Sequence, residues 1–314
     1  MKKVSIVIGL YNSSKTICDV IDEITEEFKK LNKYDYEMVL VNDFSPDNVY
    51  DVVKELAKTN DRIKLINLAK NAGQTNAVMT GYKYATGDYI VEMDDDFQMP
   101  AYEIGRMINE LEEKDLDVVF AKYKEKKESG FRVLGSKINS KMTEIMIGKP
   151  KDITINSFFV MRKVVRDVMV QYNNNYPYLY GIIFASTSRI GNLEVDHRPR
   201  TNGKSNYTFK SLLSLWINGF LNFSVKPLRI ATTAGMIIVA VSFIYAIYVI
   251  IRRLFFPTGN IGWTSLIVAI IFFAGVQLIS IGIIGEYIGR LYLSASNIPR
   301  TVVRETINVE KEEK

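Results

Sequence analysis

A chain of 314 residues exceeds what one small core needs, so a globular domain with an attached segment is expected. The formal charge of +5 is modest and its basic residues cluster locally, which argues against a nucleic-acid surface; no such partner is expected. The single cysteine, Cys18, excludes an internal disulfide, and beside Ile17, Val20 and Ile21 it reads as a core thiol without chemistry.

The N-terminal Met1-Lys2-Lys3 and its apolar run superficially match a secretion signal, but the run ends by Leu10 with no small-residue cleavage site, so it reads as a strand. Val4 to Leu10, Met38 to Val41, Ile63 to Leu68, Tyr89 to Met93 and Val118 to Ala121 are predicted strands, with helical segments between them. The first helix presents Ile17, Val20, Ile21, Ile24 and Phe28 on one stripe, with Asn12 or Ser13 as its cap. This alternation predicts an α/β domain around a mostly parallel sheet, with ligands beyond the carboxyl ends of the strands. Residues 122 to 207 carry a lysine-rich stretch and a further strand near Thr154 to Met161.

From 209 to 228 apolar and polar residues alternate between flanking cations, as in helices that lie in a membrane interface, although an ordinary docking helix reads the same way. Ile230 to Ile251 and Phe255 to Gly285 hold no charged residue, and each is long enough to span a bilayer. The expected organisation is therefore a globular domain over 1–208, an interfacial helix over 209–228, a two-helix membrane anchor over 229–292 and a flexible tail over 293–314.

Two strand ends carry chemistry. Asp43 follows the second strand, where a nucleotide base or ribose could hydrogen-bond to it, although Asp, Ser and Pro also make ordinary turns. The fourth strand runs into Asp94-Asp95-Asp96-Phe97-Gln98, where adjacent carboxylates repel unless a cation lies among them. Hard oxygen ligands beside a diphosphate suit Mg2+ or Mn2+. In extended geometry Asp94, Asp96 and Gln98 share a side and Asp95 faces elsewhere.

These features resemble the family-2 glycosyltransferases, whose nucleotide-sugar domain has a strand ending in Asp-x-Asp. Within that family the chain is similar to the polyprenyl-phosphate, dolichyl-phosphate mannose synthase-like subgroup. The resemblance rests on Asp94-Asp95-Asp96-Phe97-Gln98, Asn71-Ala72-Gly73-Gln74, Arg200-x-x-Gly203-x-Ser205-x-Tyr207 and Gly285-Glu286-Tyr287-Ile288-Gly289-Arg290. It departs from the family pattern where Ser13 replaces a glutamate after Tyr11-Asn12, where Asn42 precedes Asp43, and where Asn206 replaces a lysine that Lys204 could substitute.

The resemblance implies a GT-A-like domain and inverting transfer of one sugar from a UDP- or GDP-linked donor to a polyprenyl phosphate at the cytoplasmic face of a membrane. It implies donor contacts from Tyr11, Asn12, Asp43, Asn71, Asp94, Arg200 and Lys204, with Asp94, Asp96 and Arg200 catalytic. Asp96 and Gln98 would hold the metal, and Lys124, Lys127 and Arg132 the acceptor phosphate. A homo-oligomer, a tetramer in the subgroup, is also implied. Two rivals remain: an inactive membrane scaffold or nucleotide-sugar sensor, and a processive polysaccharide synthase, which the absence of Gln-x-x-Arg-Trp disfavours.

Overall fold

The computed structural model describes residues 1–123, 148–172, 177–196, 198, 262–295 and 299–309, with Glu144 and scattered positions between 233 and 255. The chain divides into two compact units, Met1–Thr208 with Pro299–Lys314, and Phe209–Ile298.

The first unit is built on an eight-stranded sheet in the order β7-β5-β6-β4-β1-β2-β3-β8. Its strands are β1 (Lys2–Leu10), β2 (Tyr34–Asn42), β3 (Ile63–Leu68), β4 (Tyr89–Glu92), β5 (Val118–Tyr123), β6 (Phe159–Arg162), β7 (Ile190–Val195) and β8 (Val303–Ile307). Its helices are α1 (Ile17–Lys30), α2 (Val49–Thr59), α3 (Gln74–Tyr84), α4 (Glu103–Glu113), α5 (Lys163–Gln171) and α6 (Leu179–Ser186). The central strands β1 to β4 pair in parallel, and they read as continuous Val/Ile/Leu runs because both faces are covered.

Period-two alternation sorts those runs between two layers. Ile6, Ile8, Leu10, Met38 and Leu40 pack with the apolar stripes of α1, α2 and α4 in one core cluster. Val7, Val39 and Val41 point the other way, toward α3. There Gly81 allows close approach, since a Cβ at that position would lie 2.6 Å from Cγ1 of Val7. The α1 stripe is fully or almost fully buried, and each such side chain contributes roughly 1.5–3 kcal/mol by leaving water.

Several expectations are corrected. Cys18 is exposed, because it falls one residue off the α1 stripe. Neither Asn12 nor Ser13 caps α1 with a side chain; the helix begins after Thr16, and the carbonyl of Ser13 accepts the N–H groups of Thr16 and Ile17. The sixth strand begins at Phe159 and inserts antiparallel between β4 and β5, so β4 and β5 are not neighbours. The tail expected to be flexible supplies β8, which pairs antiparallel with the outer edge of β3.

In the second unit, α7 (Trp263–Ala295) contains Phe272–Gly289, long and apolar enough to cross a membrane. It is the one such helix among the described residues. The interfacial helix at 209–228 lies outside the described residues, and so does much of the first predicted span.

Candidate active site

Because β1, β2, β3 and β4 are mutually parallel, their carboxyl ends open on one edge of the sheet, which carries Tyr11, Asn12, Asp43, Asn71 to Gln74 and the acidic turn Asp94 to Gln98. Three non-glycine residues on the loops that follow these strands adopt left-handed backbone: Asn12 (φ 58°), Phe44 (φ 51°) and Phe97 (φ 62°). Such conformations cost on the order of 1 kcal/mol or more and persist where the surroundings impose them.

The first two loops are stitched together. The N–H of Asn12 donates to the Ser45 hydroxyl at 2.8 Å, and that of Ser14 to the Asp47 carboxylate at 2.9 Å. Asp43 is buried and accepts the N–H groups of Ala72 (2.6 Å) and Gly73 (2.9 Å), while the Asn71 amide donates to its carbonyl oxygen (3.2 Å). Gly73 has φ +84°, a conformation that side chains resist, so this turn favours a glycine. Burial pushes the Asp43 carboxyl up, and those two N–H groups oppose the shift.

The acidic turn is held just as closely. The Gln74 amide donates to Oδ1 of Asp94 at 2.8 Å and the Ser157 hydroxyl to Oδ2 at 3.0 Å. Burial pushes Asp94 up to about 6; the charges of Asp96 and Asp95 push the same way, and Ser157 and Gln74 pull back. Asp95 turns toward the first loop, accepting the N–H of Tyr11 at 3.0 Å, and its carbonyl accepts the Thr16 hydroxyl at 2.6 Å. Asp96 accepts the N–H of Gln98 at 3.2 Å. Strand alternation therefore does not reach Gln98: β4 stops at Glu92, and Phe97 turns the chain.

Beneath this turn Glu92 is buried and accepts the Tyr82 hydroxyl, and burial pushes its carboxyl up to about 8. Tyr123 stands near Asp94 and Asp96 and bonds to Asn156; burial pushes its phenol up to about 12. Ser157, Asn156 and Tyr123 had no signal in the sequence, because β6 brings their segments to β4 from more than 30 residues away. Gln74 lay within a recognised motif without an assigned role.

The donors at this edge are carboxylate and amide oxygens, which suit Mg2+ or Mn2+. Among the described residues no three acidic, histidine or cysteine side chains converge on one cation position. Carboxylate and amide oxygens are the donor type that takes a cation jointly with substrate phosphates, as magnesium is commonly bound. Arg200, Lys204, Lys124, Lys127 and Arg132 lie outside the described residues. A cavity of about 690 Å³ at the opposite edge of the sheet is lined by charges already paired, Lys3 and Lys64 with Glu37 and Arg62 with Asp35.

Comparison with known families matches residues 5–169, more than half of the chain, to "Glycosyl transferase family 2". The chain belongs to that family. A second family, "GtrB C-terminal hairpin", matches residues 226–291 of this glycosyltransferase. It is 32% identical to the uncharacterized glycosyltransferase YkcC of Bacillus subtilis, over 98% of this chain and 94% of the relative. It is 31% identical to the undecaprenyl-phosphate 4-deoxy-4-formamido-L-arabinose transferase of Proteus mirabilis, over 100% and 97%. It is 30% identical to the SfII prophage-derived bactoprenol glucosyl transferase of Shigella flexneri, over 97% and 98%. Glucosyl-3-phosphoglycerate synthase of Mycobacterium tuberculosis, solved with Mn2+, UDP-glucose and phosphoglyceric acid, shares the fold with a TM-score of 0.50, at 14% identity over 69% of this chain and 80% of that one.

Proposed function

We propose that this glycosyltransferase moves one sugar from a UDP- or GDP-linked donor to a polyprenyl phosphate at the cytoplasmic membrane face, with inversion at the anomeric carbon. The observation that carries the reading is near full-length similarity to two transferases named for undecaprenyl phosphate and bactoprenol.

An oxygen of the acceptor phosphate attacks the anomeric carbon as the bond to the nucleotide diphosphate breaks. A phosphate monoester, with its second pKa near about 6, is already an anion at neutral pH, so no dedicated general base is required. Asp96 and Gln98 would hold a divalent cation, Mg2+ or Mn2+, which supplies charge neutralisation for the departing diphosphate. Asp94, fixed by Gln74 and Ser157, orients the donor, and Arg200 and Lys204 steady its phosphates. Tyr11, Asn12, Asp43 and Asn71 shape the nucleoside end; Asp43 acts there largely by bracing the Ala72-Gly73 turn. Lys124, Lys127 and Arg132 hold the acceptor phosphate.

A membrane anchor of two crossings is supported by connectivity. Both ends of Phe209–Ile298 continue into the same compact unit, and a folded domain lies on one side of a bilayer. That connectivity favours an even number of crossings between residues 208 and 299. The candidate span Phe272–Gly289 needs a partner, and the uncharged run Ile230 to Ile251 is long enough to serve. A homo-oligomer, a tetramer by family resemblance, is part of the same reading; a monomeric mass for the active, detergent-solubilised enzyme would remove it.

The test is incubation of labelled nucleotide-sugars with polyprenyl phosphate or with the unphosphorylated alcohol. Only the phosphate should yield a solvent-extractable product that releases its sugar in mild acid. Lys124→Glu with Lys127→Glu should weaken acceptor use more than donor binding. Transfer to the alcohol, or a water-soluble polymer as product, would overturn the proposal.

A further inference from the structure

The turn bearing Asp96 and Gln98 is fastened from two directions by one ion pair. Glu23, on α1, accepts from the two terminal guanidinium nitrogens of Arg198, at 2.6 and 2.9 Å, and its Oε1 also accepts the N–H of Ala101 at 3.1 Å. The Arg198 guanidinium lies 4.8 Å from the ring centre of Phe97 and 5.5 Å from that of Tyr102. The N–H of Arg198 points to the carbonyl of Gln98 at 3.4 Å. Two residues earlier, the N–H of Asp196 donates to Glu103 at 3.2 Å.

The segment leaving β7 is thereby bound to the acidic turn at Phe97 and Gln98 and to the start of α4 that follows it. The Glu23 and Arg198 side chains are 19% and 32% exposed, so this pair is shielded more than a surface ion pair. Its two-pronged pairing is specific to arginine, since a lysine offers only a point charge.

We propose that Glu23 and Arg198 are positioning residues that clamp Phe97 in its left-handed turn, and with it Asp96 and Gln98, to the segment that runs on into the Arg200 motif. Arg198 acts in this proposal through the turn: its guanidinium holds Glu23 and lies over two aromatic rings. Without the clamp the left-handed turn relaxes and the two oxygen donors lose their preorganisation, while the sheet beneath is unaffected. The proposal rests on the functional reading above, in which these donors face the nucleotide diphosphate.

The test uses the full-length enzyme in detergent, comparing wild type with Arg198→Lys, Glu23→Gln and the double variant. Bound Mn2+ is counted by electron paramagnetic resonance in the presence of nucleoside diphosphate, alongside kinetics and thermal melting. Each single variant should raise the Mn2+ concentration for half-saturation about tenfold. Saturating Mn2+ should restore kcat, with melting little changed, and the double variant should be no worse than either single one. Variants indistinguishable from an active wild type overturn the clamp and leave the functional reading standing, as do additive losses that track melting. A wild type that transfers no sugar to polyprenyl phosphate overturns both.

Discussion

The side-chain amide of Asn308 donates a hydrogen bond of 2.6 Å to the carbonyl oxygen of Ala57, 251 residues earlier in the chain. The same amide also reaches the carbonyls of Asn60 (3.3 Å) and Ile63 (3.0 Å), closing the end of α2 and the start of β3. With Glu305 bonded to Tyr50 and Lys54, and the Thr301 and Thr80 hydroxyls 2.8 Å apart, β8 is part of the domain. It also covers a sheet edge that would otherwise invite pairing with another chain.

Asn308 has φ 56°, so Asn308→Gly keeps the backbone and removes only the amide, whereas Asn308→Ala adds strain. Asn308→Gly should cost about 1–2 kcal/mol and Asn308→Ala more. Thermal melting of the detergent-solubilised enzyme measures both, and an unchanged melting temperature for the alanine variant contradicts this role.

Glu37 and Glu92 should give opposite pH dependences of stability. Burial alone would raise Glu37, but Lys3, Ser5, the Thr86 N–H and Lys64 hold it at about 2. Its contribution is therefore complete above its ordinary 4.5 and is lost as pH falls toward 2. Glu92 is raised by burial to about 8, so the folded state retains a proton that the unfolded chain releases, and stability falls as pH rises from 4.5 to 8. Glu37→Gln should lower the melting temperature at pH 7 and much less near pH 3. Glu92→Gln should raise it at pH 8 and leave it nearly unchanged at pH 4. The same sign for both at neutral pH would refute the assignment.

Sugar transfer should need a divalent cation and stop in excess chelator. Asp96→Asn should abolish turnover with the circular dichroism spectrum intact. Ser157→Ala should slow turnover about ten- to a hundredfold, since a hydrogen bond to a charged group contributes roughly 1.5–3 kcal/mol. Full activity of either variant would remove that residue from the mechanism.

Topology is open to cysteine labelling. Cys18 is exposed and is first replaced by serine. A cysteine introduced at Thr258, between the two uncharged runs, should react with an impermeant reagent outside the cell, whereas one at Lys311 should react only after permeabilisation. Reaction at Lys311 in intact cells would contradict the two-crossing anchor.

The sequence alone determined the βαβ alternation, the five apolar runs that became β1 to β5, the acidic turn and the long apolar helix at the C-terminal side. Each is a local property: a period of two or 3.6, a strand-length apolar run, or like charges that repel within a few residues. Tertiary structure decided what depends on distant partners. It placed β6 between β4 and β5, which brings Ser157 to Asp94, and it returned the charged tail to β3 as β8. It turned Asp43 inward onto Ala72 and Gly73, and Asp95 toward Tyr11. It also brought Arg198 back across the acidic turn to Glu23. None of these carries a local signature, because antiparallel insertion and hydrogen-bond partnership are selected by the free energy of the assembled sheet, in which each buried polar group must find its partner.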